Sequence, residues 1–385
     1  MKVKSIERNR SGGDFHGSRL SIEERESKLK RLIKRLLYWS IVASLCLAVY
    51  FAFLYVSNIS TFDGGSVAPM VYGTAKRPYV YRTLLPSLVR ITAPLIPDTA
   101  VRETISLRIV RAGLSRFEWE AYPAETLLMF IGMYLCVIGS FWAFRHLMIS
   151  NGFNSWSASW LPFGYLVMLP GFFSDGKYYD WPTLFLFTLA LSLLKNKHWT
   201  SYILVLLFTS LSKETSILLI LVFAVHYFKK LARPTWLSLL GIQTLVYLTV
   251  RLALIFYYRF NPGGVVEYHL QDNLIAFQED PLTSLLPIGL MIILIGHRWQ
   301  EKPRFLRDAL FIVGPLGLTK VFFGMPYELR VYLEAFPVIL LLMAGGIFRS
   351  DMIYREPVPG SPSPDNSSES LLSGEDFEPK NAESA

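Results

Sequence analysis

The amino-acid sequence predicts an all-α protein, a polytopic transmembrane helix bundle of about ten spans. Three observations predict it. Charged residues make up only 18% of the 385-residue chain and hydrophobic residues 52%, whereas a soluble globular domain carries roughly 25% charged residues. The apolar residues are gathered into long, separate runs. No water-soluble core of this size needs so many, but a bilayer does, because each crossing must present apolar surface to lipid. Finally, Lys and Arg collect in alternate connecting segments, which is the positive-inside pattern.

The elements follow in order. Residues 1–35 are polar, and Ser21 to Arg35 reads as a basic helix at the cytoplasmic membrane surface. The first apolar run begins near Leu36, after a long charged segment, and is too long for a signal-peptide core. Predicted spans are 36–57, 125–147, 156–173, 182–195, 199–212, 215–228, 235–256, 282–297, 308–324 and 331–348. With the N-terminus inside, the cytoplasmic loops receive Arg145, then Lys195 and Lys197, then Lys229, Lys230 and Arg233, then Arg298, Lys302, Arg304 and Arg307, then Arg349. The short outer loops carry Lys177, Lys213, Arg259 and Arg330 beside acidic neighbours. Trp39, Trp156, Trp160, Trp181, Trp199, Trp236 and Trp299 fall near span ends, as an interfacial aromatic belt requires. Runs 199–212 and 215–228 could form one long crossing, but that would carry Lys229, Lys230 and Arg233 outside. Two helices meeting at a recessed hairpin, Lys213-Glu214, keep every sign in place.

The first outer loop, 58–124, is the longest. Leu84, Leu88, Ile91 and Leu95 recur at helical spacing with Arg82 and Arg90 among them, and Val101, Ile105 and Ile109 repeat the pattern beside Arg102, Arg108 and Arg111. Both stretches read as amphipathic helices on the outer leaflet. The transmembrane domain is thus 36–348, followed by a cytoplasmic tail, 349–385. From 357 onward that tail is rich in Pro, Ser, Asp and Glu, with too little apolar surface to fold.

Several function classes are excluded. The two cysteines, Cys46 and Cys136, lie inside apolar runs, so neither a disulfide framework nor a zinc site is indicated. The net charge of +8 follows membrane topology, and nucleic acid is not an expected partner. No phosphate-binding Gly-x-x-x-x-Gly-Lys-Ser/Thr motif occurs, so ATP-driven chemistry has no seat.

Chemistry-bearing residues gather in the outer loops instead. They are Asp63 before Gly64-Gly65, the stretch Arg77 to Pro86 with Tyr81 and Arg82, then Tyr178-Tyr179-Asp180, Lys213-Glu214, and Glu328 to Glu334 with Arg330. Each has a plain structural alternative. Asp63 suits a turn, Asp180 a helix cap, Lys213 and Glu214 a mutual ion pair, and Arg330 with Glu334 an i, i+4 pair. Charges recessed in an apolar bundle are nevertheless costly and mark functional positions. Their composition suits an anionic, lipid-linked substrate. Arg77, Arg82, Lys213 and Arg330 can hold a donor phosphate. Tyr81, Tyr178, Tyr179 and Glu328 can contact a saccharide. Asp63, Asp180 and Glu214 are the candidate catalytic carboxylates, one of which acts as base on an acceptor hydroxyl or holds a divalent cation, Mg or Mn.

The segments Arg77-Pro78-Tyr79-Val80-Tyr81-Arg82-Thr83-Leu84-Leu85-Pro86, Tyr178-Tyr179-Asp180, Lys213-Glu214-Thr215 and Glu328-Leu329-Arg330-Val331-Tyr332 resemble a group of bacterial multispan proteins. That group, and the layout over residues 36–348, resemble the type C glycosyltransferase fold. The resemblance implies a bacterial inner membrane with both termini cytoplasmic. It also implies a polyprenyl-phosphate sugar donor, a saccharide or lipid acceptor, and a catalytic acid soon after the first crossing. Asp63 matches that acid, as a lone Asp where many members carry a paired acidic motif. Transport or polymerisation of lipid-linked saccharides, or a non-catalytic membrane subunit, are the alternatives at this stage.

Overall fold

A computed structural model describes residues 14–57, 66–104, 121–173, 176–264, 268–325, 328–348 and 350–354. Asp63 with Gly64-Gly65, most of the second amphipathic stretch, and the tail from 357 lie outside the described residues. Among the described residues the protein is all-helical, and the lone extended contact is a single antiparallel bridge between Phe153 and Tyr354.

Helix α1 (Asp14–Val56) is continuous across the basic segment and the first apolar run. The charge pattern predicts a surface helix over Ser21 to Arg35 ahead of the span, but no Gly or Pro interrupts residues 20–56, and this stretch is rich in strong helix formers. Between the first two long apolar helices lie α2 (Val67–Tyr72), α3 (Leu84–Thr92) and α4 (Asp98–Thr104). Helix α3 buries Leu85, Pro86 and Val89 and leaves Leu88 and Ile91 exposed, with Leu95 exposed just beyond it, so the predicted apolar stripe faces outward. The long helix α5 (Pro123–Ser150) forms the centre of the bundle, and its buried side runs through Met129, Met133, Val137, Phe141 and Phe144. It packs against α1, α3, α6 (Ser157–Met168) and, most extensively, α7 (Asp180–Lys195).

Next come α8 (Trp199–Ser212), α9 (Ile217–Tyr227) and α10 (Arg233–Tyr257). Lys213 is extended, at φ −157° and ψ 149°, and a 3₁₀ turn over Glu214–Ser216 starts the return. The chain doubles back here, because the Trp199 ring at the start of α8 meets the Tyr227 ring at the end of α9, with centroids 5.2 Å apart. The expected hairpin is therefore present. Helix α10 is tied to α8 by the buried Tyr202 hydroxyl, which donates to Gln243 Oε1 at 2.9 Å. The remaining helices are α11 (Leu270–Glu279), α12 (Pro281–Gly296), α13 (Arg304–Ala309), α14 (Val313–Phe323), α15 (Phe336–Ile347) and α16 (Ser350–Ile353).

Three helical segments are long and apolar enough to cross a membrane by length and composition: Ser27–Val56 in α1, Pro123–Ser150 and Arg233–Tyr257. The last is the least buried of the three, and its outer face carries Leu237, Leu245, Leu252 and Phe256. Shorter apolar helices fill the rest, including Trp199–Ser212, Leu285–Gly296 and Phe336–Ile347. The loops fall at two ends. One end gathers 77–82, 177–179, 213–215, 255–259, 324–325 and 328–331 around a single cavity. At the other, Asn154 N donates to Ile353 O at 2.8 Å, and the buried Lys302 amine donates to Leu294 O at 2.9 Å and Ile295 O at 2.5 Å, at the close of α12.

Gly346 allows α15 and α12 to meet backbone to backbone, since a Cβ there would lie 2.2 Å from the Leu294 carbonyl oxygen. Gly346→Ala is therefore expected to cost about 1–3 kcal/mol, the range for overpacking, and to lower the thermal midpoint of the detergent-solubilised protein. Gly345→Ala meets the movable Tyr354 hydroxyl and Lys302 chain instead, and is expected to cost less. Equal midpoints for wild type and Gly346→Ala would rule out the close approach.

Candidate functional site

The polar ends of the helices enclose a cavity of about 810 Å³. Cationic side chains dominate its lining, with Arg77, Arg82, Lys177, Lys213, Arg251, Arg259 and Arg330 set against the acids Glu214 and Glu328. Tyr79, Tyr81, Tyr179 and Tyr247 supply aromatic walls.

The first outer loop is pinned in place by the loop that follows α10. Asn261 Nδ2 donates to the carbonyls of Gly73 and Ala75 at 2.8 and 3.0 Å, and Arg77 N donates to Pro262 O at 2.8 Å. Gly263 adopts φ +99°, where a side chain is strained, and a Cβ there would sit 2.8 Å from the Arg77 carbonyl oxygen. Thr83 N donates to Leu211 O at 2.9 Å, which ties the start of α3 to the end of α8. These ties fix Arg82 in the cavity wall.

Three cations are matched internally. Arg82 Nη2 lies 2.5 Å from Glu214 Oε1 and its Nε 3.3 Å from Oε2, a bidentate pair. The Arg82 guanidinium also stacks 4.1 Å above the Tyr179 ring. Lys213 Nζ contacts Glu334 Oε1 at 2.9 Å, and the Thr215 hydroxyl donates to the same oxygen. Arg330 grips Glu328 Oε1 at 2.6 and 3.0 Å and reaches Asp180 Oδ2 at 3.4 Å and the Tyr179 hydroxyl at 3.3 Å. Burial opposes the charge on Glu328, but the Arg330 guanidinium outweighs it and holds that carboxyl below the usual range. Asp180 and Glu334 are fully buried behind the wall, and each keeps one oxygen, Oδ1 and Oε2, without a hydrogen-bond partner.

The structure thus brings Arg77, Tyr81, Arg82, Tyr179, Lys213, Glu214, Glu328 and Arg330 to one cavity, with Asp180 directly behind. Tyr178 is buried in the main core and does not line it. Asp63 lies outside the described residues. The pairs Lys213–Glu214 and Arg330–Glu334 do not form: Lys213 takes Glu334, Glu214 takes Arg82, and Arg330 takes the neighbouring Glu328 together with Asp180. Sequence reasoning missed Arg251, Tyr247 and His269. Arg251 sits within the apolar run 235–256, and that isolation was itself a signal. Its guanidinium donates to Ser210 O at 3.3 Å and stands 3.8 Å from Glu214 Oε2. Arg77 and Arg259 pair with no carboxylate among the described residues. Arg77 donates to Gly263 O at 2.9 Å, and Arg259 stacks on Phe256 and Phe260 at 4.1 and 4.6 Å.

A divalent cation fits this lining poorly. Both lining carboxylates are engaged by guanidinium groups, which would repel a metal, and no group of three His, Cys, Asp or Glu converges among the described residues. An anion fits well, because Arg77 and Arg259 meet no carboxylate among the described residues and Arg251 shares Glu214 with the closer Arg82.

No protein-family model matches the chain, and neither a curated protein nor a solved structure matches it.

The Lys213–Glu334 pair is the most deeply buried of these contacts. Lys213→Met is expected to destabilise the protein by about 3–5 kcal/mol, because it strands a buried carboxylate. Adding Glu334→Gln removes that charge and should restore most of the loss. Unfolding midpoints of the single and double variants test this, and a double variant no more stable than Lys213→Met would refute the coupling.

Proposed function

We propose that the chain is an integral membrane glycosyltransferase, of type C layout with about ten crossings. It moves a sugar from a polyprenyl-phosphate donor to a saccharide or lipid acceptor on the face that holds the cavity. The observation that carries this reading is the basic, tyrosine-walled cavity between α10 and α14. Its polar floor suits a phosphate and a sugar together. Ile255, Leu316 and Phe323 line it on the two flanking helices and offer apolar contact to a prenyl chain arriving from the side. Alternating passage of the helices, with Lys and Arg loops at the far end, supports the ten-span topology and a cytoplasmic location for that end.

In the proposed reaction the acceptor hydroxyl attacks the anomeric carbon as the bond to the donor phosphate breaks. The hydroxyl proton passes to a carboxylate, and the phosphate leaves with its electron pair and negative charge. Fixed cations stabilise that developing charge. Arg77, Arg251 and Arg259 are the natural partners, since Arg82, Lys213 and Arg330 already hold internal carboxylates. Those three then keep the cavity in shape and supply the remaining positive field. Glu214 is clamped by Arg82 and suits positioning of sugar hydroxyls better than proton transfer. Asp63 therefore stays the candidate base.

Two experiments test this. Cysteines replacing Lys177 and Asn261 should react with a membrane-impermeant reagent in intact cells, while cysteines replacing Asn196 and Glu301 should not; labelling at Asn196 would overturn the topology. Purified protein should transfer sugar from one member of a panel of polyprenyl-phosphate sugars. Arg251→Ala and Arg259→Ala should each raise the donor KM by about 10–100-fold, the worth of a charged hydrogen bond. Asp63→Asn should cut kcat by about 10²–10⁴, the usual range of general-base help. Movement of a lipid-linked saccharide between leaflets without transfer would replace this reading with transport.

A further inference from the structure

A second pocket lies beside the C-terminal end of α12. It holds about 270 Å³ between α12, α14 and α15, and is lined by Ile292, Ile295, Trp299, Val313 and Ile339 with almost no polar surface. Ile292 is 62% exposed, so the pocket opens on the flank of the bundle. Immediately past it comes a basic turn, Arg298-Trp299-Gln300-Glu301-Lys302-Pro303-Arg304, with Arg307 one turn into α13. A bias toward basic loops explains the charge alone, but not an apolar slot directly beneath it.

We infer that this pocket and the basic turn together bind one anionic phospholipid, with an acyl chain in the slot and the phosphodiester headgroup on Arg298 and Arg307. Three observations converge. Trp299 lines the slot, and the Arg307 guanidinium lies 5.7 Å from its ring, so the charge stands at the mouth of the apolar space. Arg307 donates to Gln300 Oε1 at 3.2 Å and pairs with no carboxylate among the described residues, so its charge is not cancelled there. Arg298 is exposed and precedes Trp299 directly, which puts a second cation at the surface beside the slot. Basic pockets between helices at a membrane surface recognise anionic headgroups in this way. The occupant is anionic rather than zwitterionic because no carboxylate pairs with Arg298 or Arg307 among the described residues. Lys302, the buried cation of this turn, is spent on the carbonyls that close α12. This inference depends on the chain lying in a bilayer and not on sugar transfer.

Native mass spectrometry of the detergent-purified full chain tests it, by titration with phosphatidylglycerol and with phosphatidylcholine of matched acyl chains. Wild type should retain phosphatidylglycerol selectively. Arg298→Gln with Arg307→Gln should weaken that binding by roughly 30-fold, at about fivefold per surface charge, and leave phosphatidylcholine unaffected. Ile292→Trp, which fills the slot, should weaken both lipids. Lys229→Gln with Arg233→Gln removes two charges from the same end, away from the slot, and should change nothing. Equal binding of the two lipids by wild type would overturn the site. So would unchanged binding in the double-arginine variant or in Ile292→Trp, and so would an equal loss in the Lys229/Arg233 control.

Discussion

Charge buried within an apolar bundle must be answered by opposite charge, and that constraint organises one end of this molecule. Arg82 finds Glu214, Lys213 finds Glu334, and Arg330 finds Glu328 and Asp180. Two of these links span 132 and 150 residues of chain. Each therefore ties a loop to another part of the bundle, and the loops cannot be repositioned one at a time. A neighbouring pair such as Lys213 and Glu214 would have met the electrostatic need locally and tied nothing together. Because an unpaired member is far costlier than a complete pair, the network stands or falls as a unit. The cavity is the space left between its struts.

That division also separates structure from recognition. The matched cations are held by carboxylates and aromatic rings in fixed positions, with Arg82 between Glu214 and the Tyr179 face. The cations at Arg77, Arg251 and Arg259 have carbonyl or ring partners, and Arg251 is only a distant second partner of Glu214. A carbonyl or a ring neutralises no charge, and among the described residues Arg77 and Arg259 meet no carboxylate, so positive field is left toward the cavity. An incoming phosphate would gain most from them and would not need to break the network that shapes the site.

Much of this was legible in the sequence, and the reason is the solvent. Each predicted apolar run lies on a helix because runs of that length and purity have no other use, and the reversal at Lys213-Glu214 followed from the signs of Lys229, Lys230 and Arg233 alone. The gathering of outer-loop charges at one cavity was legible too, since topology puts those loops on one side. The pairing was not. Nothing local tells Glu334 to choose Lys213 over Arg330, because the choice depends on how α9 and α15 pack. Arg251 was hidden for a related reason: it lies inside an otherwise apolar run, and only the depth of the cavity reveals that α10 offers it inward while Leu245 and Leu252 face outward. Likewise the predicted face of α3 was correct in pattern but turned outward, since a stripe of Leu and Ile serves lipid as well as it serves a core.

The last step concerns the two ends of the bundle. At the cavity end, positive charge is concentrated inside a walled space and partly neutralised by the protein's own acids. At the far end, Arg298, Arg304 and Arg307 lie along the rim, beside an apolar slot rather than a polar one. The same residue types thus serve opposite purposes, set by what surrounds them. Tyrosine walls and buried carboxylates would suit a polar, anionic group withdrawn from lipid, whereas a slot lined by Trp299, Ile292 and Val313 would suit the hydrocarbon chain of an anionic lipid. α12 and α14 carry both conditions within one hairpin. The basic turn and its slot lie between them, while the far end of α14 supplies Leu316, Thr319 and Phe323 to the cavity wall. Anchoring that turn in a leaflet would steady α14 along its length, and so steady one wall of the cavity.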